Sequence, residues 1–373
     1  MHVPNCSMKK FIIKNILFLI VLGAIISGSE YLVPYYWGTP HLVLKMNYYK
    51  KHKDEFNTLF IGSSHIFRDI SPSVFDEFTN INTHSFNLGV GAMCTLETYA
   101  FYENFLKKDI SPNVKYVIME LAPIYRLPPK DEDSAGDFNF PSTTVQSARV
   151  KYYLNFPVFM FVVNYFKTGM DIYPNEEEEV IKEYTSAYIE KLFKVGMLKD
   201  MVMFNFQPAE SSESQKEILG RYNDGFYSMD ELTSKSVSDC VECRKKTAEE
   251  IDMNIKDAKA AYVQNQLLKA NRVHLEMINK LIEQSRKKGI YLIFHLPPMS
   301  DYKLMLPIFD RIDVRHKLDL ANPMEYPEFY KMDVHWDTLH FNLKGAKLFT
   351  KRLAEKFYRL LLKNGDDKKN STS

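Results

Sequence analysis

Three polar residues carry the chemistry this sequence can do: Ser64, Asp337 and His340. A serine hydroxyl is a weak nucleophile alone and needs an adjacent base that a third group orients. Asp337-Thr-Leu-His340 puts a carboxylate three residues before an imidazole, on a loop or first helical turn. At that spacing the carboxylate can accept from one ring nitrogen and leave the other facing a serine. Ser64 follows Asn57-Thr-Leu-Phe-Ile61, a short β-prone run that stops at Gly62. Gly62 permits a sharp turn that presents a serine at a helix start, where backbone N–H groups and the helix dipole favour an oxyanion. The plainer alternative is capping: Ser63 or Ser64 capping one helix and Asp337 another.

Such a site needs strands to hold it. Further β-prone runs are His84–Leu88, ending at Gly89-Val-Gly91; Val114–Leu121, closed by Ala122-Pro123; and Ile290–Phe294, before His295-Leu-Pro-Pro298. Between them, Ser71-Pro72 starts a helix, with Ser71 as cap, and Leu96, Tyr99, Tyr102 and Phe105 mark a helix over 95–108. Residues 247–288 read as one long helical pattern, with Leu267, Leu268, Val273, Leu275, Ile278, Leu281 and Ile282 on its buried side. A last helix spans 343–362. The alternation predicts an α/β fold with a parallel sheet, whose ligand sits where strands end and loops begin. Near those ends, Arg68 is a candidate for an anionic or polar substrate group, or for a surface salt bridge. Asn87 is a substrate-binding candidate, or bonds backbone across its turn. His295 offers substrate contact or core packing, and His65 and His335 read as ordinary polar neighbours.

The chain divides into residues 1–33, a signal anchor or transmembrane helix; 34–55, a juxtamembrane connection; and 56–125 with 265–362, the α/β domain. Residues 126–264 form a largely helical insertion or cap, and 363–373 a disordered tail. In the insertion, Glu176–Glu179 reads as a solvated helix N-terminus. Lys9, Lys10 and Lys14 precede the apolar run Ile16–Ile26, the pattern of an export signal or signal anchor. No Ala-x-Ala site is present, which favours a retained anchor with the body of the chain extracytoplasmic. Cys240-Val-Glu-Cys243 lacks the second pair or histidines that zinc would want, so a local disulfide is expected. Lys+Arg 48 against Asp+Glu 47 leaves a formal charge of +1, which gives no reason to expect nucleic acid as a partner.

Gly62-Ser63-Ser64 after a strand resembles the first block of SGNH/GDSL hydrolases, with Ser63 where many members carry Asp. Asn87-Leu-Gly89 resembles the second block, and Asp337-x-x-His340 followed by Gly345 the fifth, the most specific match. The likeness covers roughly residues 55–125 and 265–360. It implies a flavodoxin-like three-layer α/β/α fold, with Ser64 as nucleophile, His340 as general base and acid, and Asp337 as its orienting carboxylate. The oxyanion hole would use the backbone N–H of Ser64 and of the Gly89–Ala92 turn, Gly89 and Gly91 among them. The family's third block is Gly-x-Asn-Asp; here Met119-Glu-Leu-Ala-Pro123 has no Asn, and Glu120 would repel an oxyanion if it pointed inward. This variant block, with the anchor, looks more like the membrane-anchored branch that acylates envelope polymers, often beside a membrane-bound O-acyltransferase. The resemblance implies an extracytoplasmic serine O-acyl esterase or O-acyltransferase. It would act on a carbohydrate polymer or acyl ester through acyl-Ser64, with no cofactor or metal. Two rivals stand beside it: a non-catalytic glycan-binding or acylation accessory module of the same fold, and a helical middle serving as a protein-interaction platform.

Overall fold

The computed structural model describes residues 8–127, 144–145, 147–168, 177–203, 215–231, 241–264, 269–298 and 302–370. The chain begins with α1 (Met8–Gly28), α2 (Pro40–His52), β1 (Thr58–Ile61), α3 (Ser64–Asp69), α4 (Pro72–Phe78), β2 (Ser85–Asn87), α5 (Thr95–Lys108) and β3 (Tyr116–Glu120). A helical middle follows: α6 (Ala148–Tyr153), α7 (Phe156–Lys167), α8 (Glu177–Leu192), α9 (Met197–Met203), α10 (Gln215–Leu219) and α11 (Val241–Gln264). The chain closes with α12 (Arg272–Lys287), β4 (Tyr291–Leu296), α13 (Tyr302–Arg311), β5 (Lys317–Asp319) and α14 (Leu343–Asn370).

The five strands pair parallel in the order β2-β1-β3-β4-β5. In this doubly wound order the winding reverses between β1 and β3, and the crevice beyond their C-terminal ends is where ligands bind. Successive side chains of a strand point to opposite faces. Leu59, Val117 and Leu292 enter one apolar cluster with side chains of α2, α5, α12 and α13. Phe60, Ile118 and Ile293 enter a second with side chains of α3, α4 and α14. Helices therefore cover both faces, which is why the strands read as unbroken apolar runs rather than alternating ones.

Several sequence boundaries shift. The expected connection at 34–55 is instead α2, whose His41, Leu42, Val43, Lys45, Met46 and Tyr49 are buried, so it belongs to the core. The single helix over 247–288 is two, α11 and α12, with Asn271 capping the second through the His274 N–H (3.1 Å). Its buried side is His274, Ile278, Leu281 and Ser285, with Val273, Leu275 and Ile282 half-buried. β5 is a three-residue edge strand flanked by charge, too short for a pattern to announce. The last helix runs on to Asn370, where a disordered tail was expected from 363. Ser71 precedes α4 without a side-chain cap bond. The apolar stretch Lys10–Gly28 is long and apolar enough to cross a membrane, and none of it is buried against the rest of the chain. Cys6, Cys240, the Cys243 side chain, Leu267 and Leu268 lie outside the described residues, and with them the disulfide expectation.

Candidate active site

β1 ends at Ile61, and Ser63 caps the next helix by accepting the His65 N–H at 3.3 Å. Ser64 opens that helix, and its Oγ lies 2.8 Å from His340 Nε2. On the other side of the ring, Nδ1 is 2.9 and 3.0 Å from the two oxygens of Asp337. An ionised carboxylate only accepts, so Nδ1 carries the proton and Nε2 is left to accept from the serine hydroxyl. Burial alone would raise the Asp337 carboxyl. The hydrogen bond and charge of His340, with the Leu339 and His340 amides at 2.8 and 2.7 Å, hold it below the usual range. The three residues thus form a continuous hydrogen-bonded chain from hydroxyl to carboxylate.

The loop that carries Asp337 and His340 is held from three directions. An antiparallel bridge joins His335 to Phe341, and the Trp336 N–H donates to the His340 carbonyl at 3.0 Å. Asp69, at the end of α3, accepts the Phe341 N–H at 3.0 Å. Thr338 donates to Glu250 of α11, which ties the helical middle to the loop. Asp69 is buried, and burial pushes its carboxyl well above its ordinary range. Sequence reasoning passed over it, because nothing local distinguishes it from a surface acid on a short helix.

Glu120 does turn inward, but not as a bare charge. The register pairs Ile61 with Met119, so Glu120 stands beside Gly62 at the strand ends. Its Oε2 accepts the Ser63 N–H at 2.6 Å and its Oε1 pairs with His65 Nδ1 at 2.9 Å. Burial alone would raise Glu120 and depress His65. Their mutual hydrogen bond and charge outweigh burial, taking Glu120 down to about 2 and His65 up to about 9. His65 is therefore more than a polar neighbour: Glu120 favours its charged form, and its ring centre is 5.7 Å from that of His340. A His beside the serine and a Glu ending the adjacent strand was the available sequence signal. Gly62 makes the arrangement possible through space rather than a left-handed backbone. A Cβ there would lie 2.5 Å from Ile66 Cγ1 and 2.6 Å from Glu120 Oε2. Gly62→Ala is expected to lower stability by about 1–3 kcal/mol, measured by urea unfolding, because the crowded carboxylate and Ile66 must shift.

The remaining candidates fall in different places. Asn87 is fully buried and wholly engaged: Nδ2 donates to the Ile66 and Ile70 carbonyls (2.6 and 2.8 Å), and Oδ1 accepts the Gly89 N–H at 2.8 Å. It bonds backbone across the turn and has nothing left for substrate. That bond also commits the Gly89 amide, which removes it as an oxyanion donor. Among the described residues, the Ser64 and Gly91 amides have no intramolecular partner. Arg68 is buried rather than in a surface salt bridge. It donates to the Tyr227 carbonyl at 3.1 Å with its guanidinium over the Phe67 ring. His295 is fully buried, and burial holds it neutral with a pKa lowered to about 4, so the core alternative describes it.

Part of the middle segment is built into this region. The Asn87 N–H donates to the Asp224 carbonyl at 2.8 Å. The buried Lys45 ammonium donates to the carbonyls of Gly89 (2.6 Å) and Gly225 (2.7 Å). Gly225 has φ +85 and lies so close to Asn87 O that a Cβ would sit 2.1 Å away, so only glycine fits both demands.

Beside the serine lies a cavity of about 300 Å³, within the range of small-molecule sites. Ser63, His65 and Glu120 border it at one end, and Met93, Leu96 and Ile124 are among its apolar walls. Among the described residues, no group of three or more His, Cys, Asp or Glu is arranged to hold a metal ion. The arrangement suits acyl transfer: a serine with its base, a carboxylate orienting that base, two unpartnered amides and an adjoining pocket. No protein-family model and no curated protein matches this chain.

Proposed function

We propose that the chain is an SGNH/GDSL-type serine O-acyl esterase or O-acyltransferase, anchored by α1 and acting on extracytoplasmic carbohydrate polymer. The observation that carries the chemistry is the unbroken chain Ser64–His340–Asp337, with contacts of 2.8 and 2.9 Å. Ser64 Oγ attacks the ester carbonyl carbon while His340 Nε2 takes the hydroxyl proton, and Asp337 stabilises the imidazolium that forms. The amides of Ser64 and Gly91 are the donors for the oxyanion. Collapse breaks the carbonyl carbon's bond to the alcohol oxygen, which receives the proton from His340, and leaves acyl-Ser64. Water or a sugar hydroxyl then repeats the sequence in reverse, with His340 again the base. A membrane-bound O-acyltransferase is the partner expected of an envelope-acylating role.

The test of the chemistry is intact-mass spectrometry of the full chain after treatment with a fluorophosphonate. A single adduct on wild type, absent from Ser64→Ala and His340→Ala, is expected. A folded wild type that takes no adduct would instead favour the binding-module reading, whose supporting observation is the Glu120–His65 pair where the family's third block has Asn. Anchoring is tested separately: the full chain should stay with membranes through a carbonate wash, and a chain lacking residues 1–28 should be released. Release of both would remove α1 as an anchor.

A further inference from the structure

The acyl group and the alcohol of an ester call for different walls: a sugar needs hydrogen-bond partners, whereas an alkyl chain needs apolar surface. The cavity beside Ser64 has the second kind. Its apolar boundary includes Met93, Leu96, Ala122, Ile124 and Leu127, and Leu339, next to His340, borders it too. Most of its polar groups are already engaged, His65 Nε2 being the exception. Thr95 Oγ1 donates to the carbonyls of Ala122 (3.0 Å) and Pro123 (2.8 Å). Cys94 Sγ is paired with Tyr153 OH at 3.2 Å, and Glu120 is bound to Ser63 and His65. A sugar ring placed there would lose its water and gain little in return.

We infer that this cavity is an acyl-chain subsite, and that the chain prefers esters of medium-length alkanoic acids over acetyl esters. The inference rests on the serine-esterase reading and adds to it the identity of the transferred group. The chain neighbours of the triad border the cavity, Ser63 and His65 on either side of Ser64 and Leu339 before His340, while Ser64 itself is not one of its lining residues. An acyl chain entering it would leave the alcohol portion of the ester outside, towards solvent. A volume of about 300 Å³ suits a chain of roughly four to eight carbons, at the small end of ligand pockets.

The experiment is a series of p-nitrophenyl esters from acetyl to decanoyl, hydrolysed by the full chain in mild detergent, with Ser64→Ala as blank. The value of kcat/KM is expected to rise about two- to fourfold per added methylene up to roughly hexanoyl, then to level or fall. Ala122→Phe, which fills the cavity, is expected to cut the hexanoyl-to-acetyl ratio about tenfold or more. Leu96→Trp does the same from α5 if the first variant fails to fold. Ser64-dependent hydrolysis that is fastest on acetyl and falls with every added carbon would overturn the subsite and leave the esterase standing. No Ser64-dependent hydrolysis of any ester, with no fluorophosphonate adduct, would remove the esterase and the subsite together.

Discussion

Ser64→Ala is expected to lower turnover of an activated ester by a factor on the order of 10⁴ to 10⁶. Its melting temperature should stay close to wild type. The separation between the two effects follows from the contacts. The Ser64 hydroxyl has His340 Nε2 as its side-chain partner, and His340 keeps its Asp337 contacts and its loop when that hydroxyl is removed. His340→Ala should cost about as much as Ser64→Ala, and the double variant little more than either, because residues that act as one unit lose their effect together. A double-mutant cycle of kcat/KM therefore discriminates sharply. Losses that multiply, or a Ser64→Ala variant within tenfold of wild type, would sink the triad.

Glu120→Ala is expected to destabilise the fold by about 1–3 kcal/mol, because it removes the partner that favours charged His65 and unmakes the bond that holds the Ser63 amide. The loss is pH-dependent in a direction the pair dictates. His65 is raised from 6.5 to about 9, so its stabilisation is complete below pH 6.5 and is lost as pH climbs through 9. Glu120 is lowered from 4.5 to about 2, so its share is complete above pH 4.5 and is lost as pH falls through 2. The gap in melting temperature between wild type and Glu120→Ala should therefore be widest between pH 4.5 and 6.5 and narrow on both sides. Glu120→Gln keeps an acceptor for the Ser63 amide and should recover part of the stability without the pH dependence. A gap that is constant from pH 4 to 9 would mean the pair is not ionised.

Strands β1 to β4 were legible because each is a short apolar run that stops at glycine, proline or a polar residue, whereas the charged β5 was not. The Ser64, Asp337 and His340 positions were legible because two of them are three residues apart and the third follows a strand. What sequence could not convey are relations between distant segments. Glu120 reads as a hazard to an oxyanion until register sets it beside Gly62 and gives it His65 as a partner. Asn87 looks like a substrate ligand until the Ile66 and Ile70 carbonyls occupy its amide. Arg68 likewise meets the Tyr227 carbonyl, 159 positions away, a burial that its local sequence does not signal. The helix α2 was hidden by its own composition: Lys45, Tyr48 and the lysines near its end read as a polar connection. Of these only Lys45 is buried, and its burial depends on the carbonyls of Gly89 and Gly225.

The serine and its base are separated by 276 positions along the chain. Contacts of such long range form late in folding, since the entropy of closing the intervening chain must be met before they contribute. The serine belongs to the segment after a central strand, and the imidazole to a hairpin just before α14, which packs against α3 and α4. A chain emerging from a ribosome or a translocation pore thus carries its nucleophile long before it carries the base. On the serine-esterase reading, reactivity is deferred until nearly the whole polypeptide has been delivered, and a chain stopped short of residue 340 lacks the base.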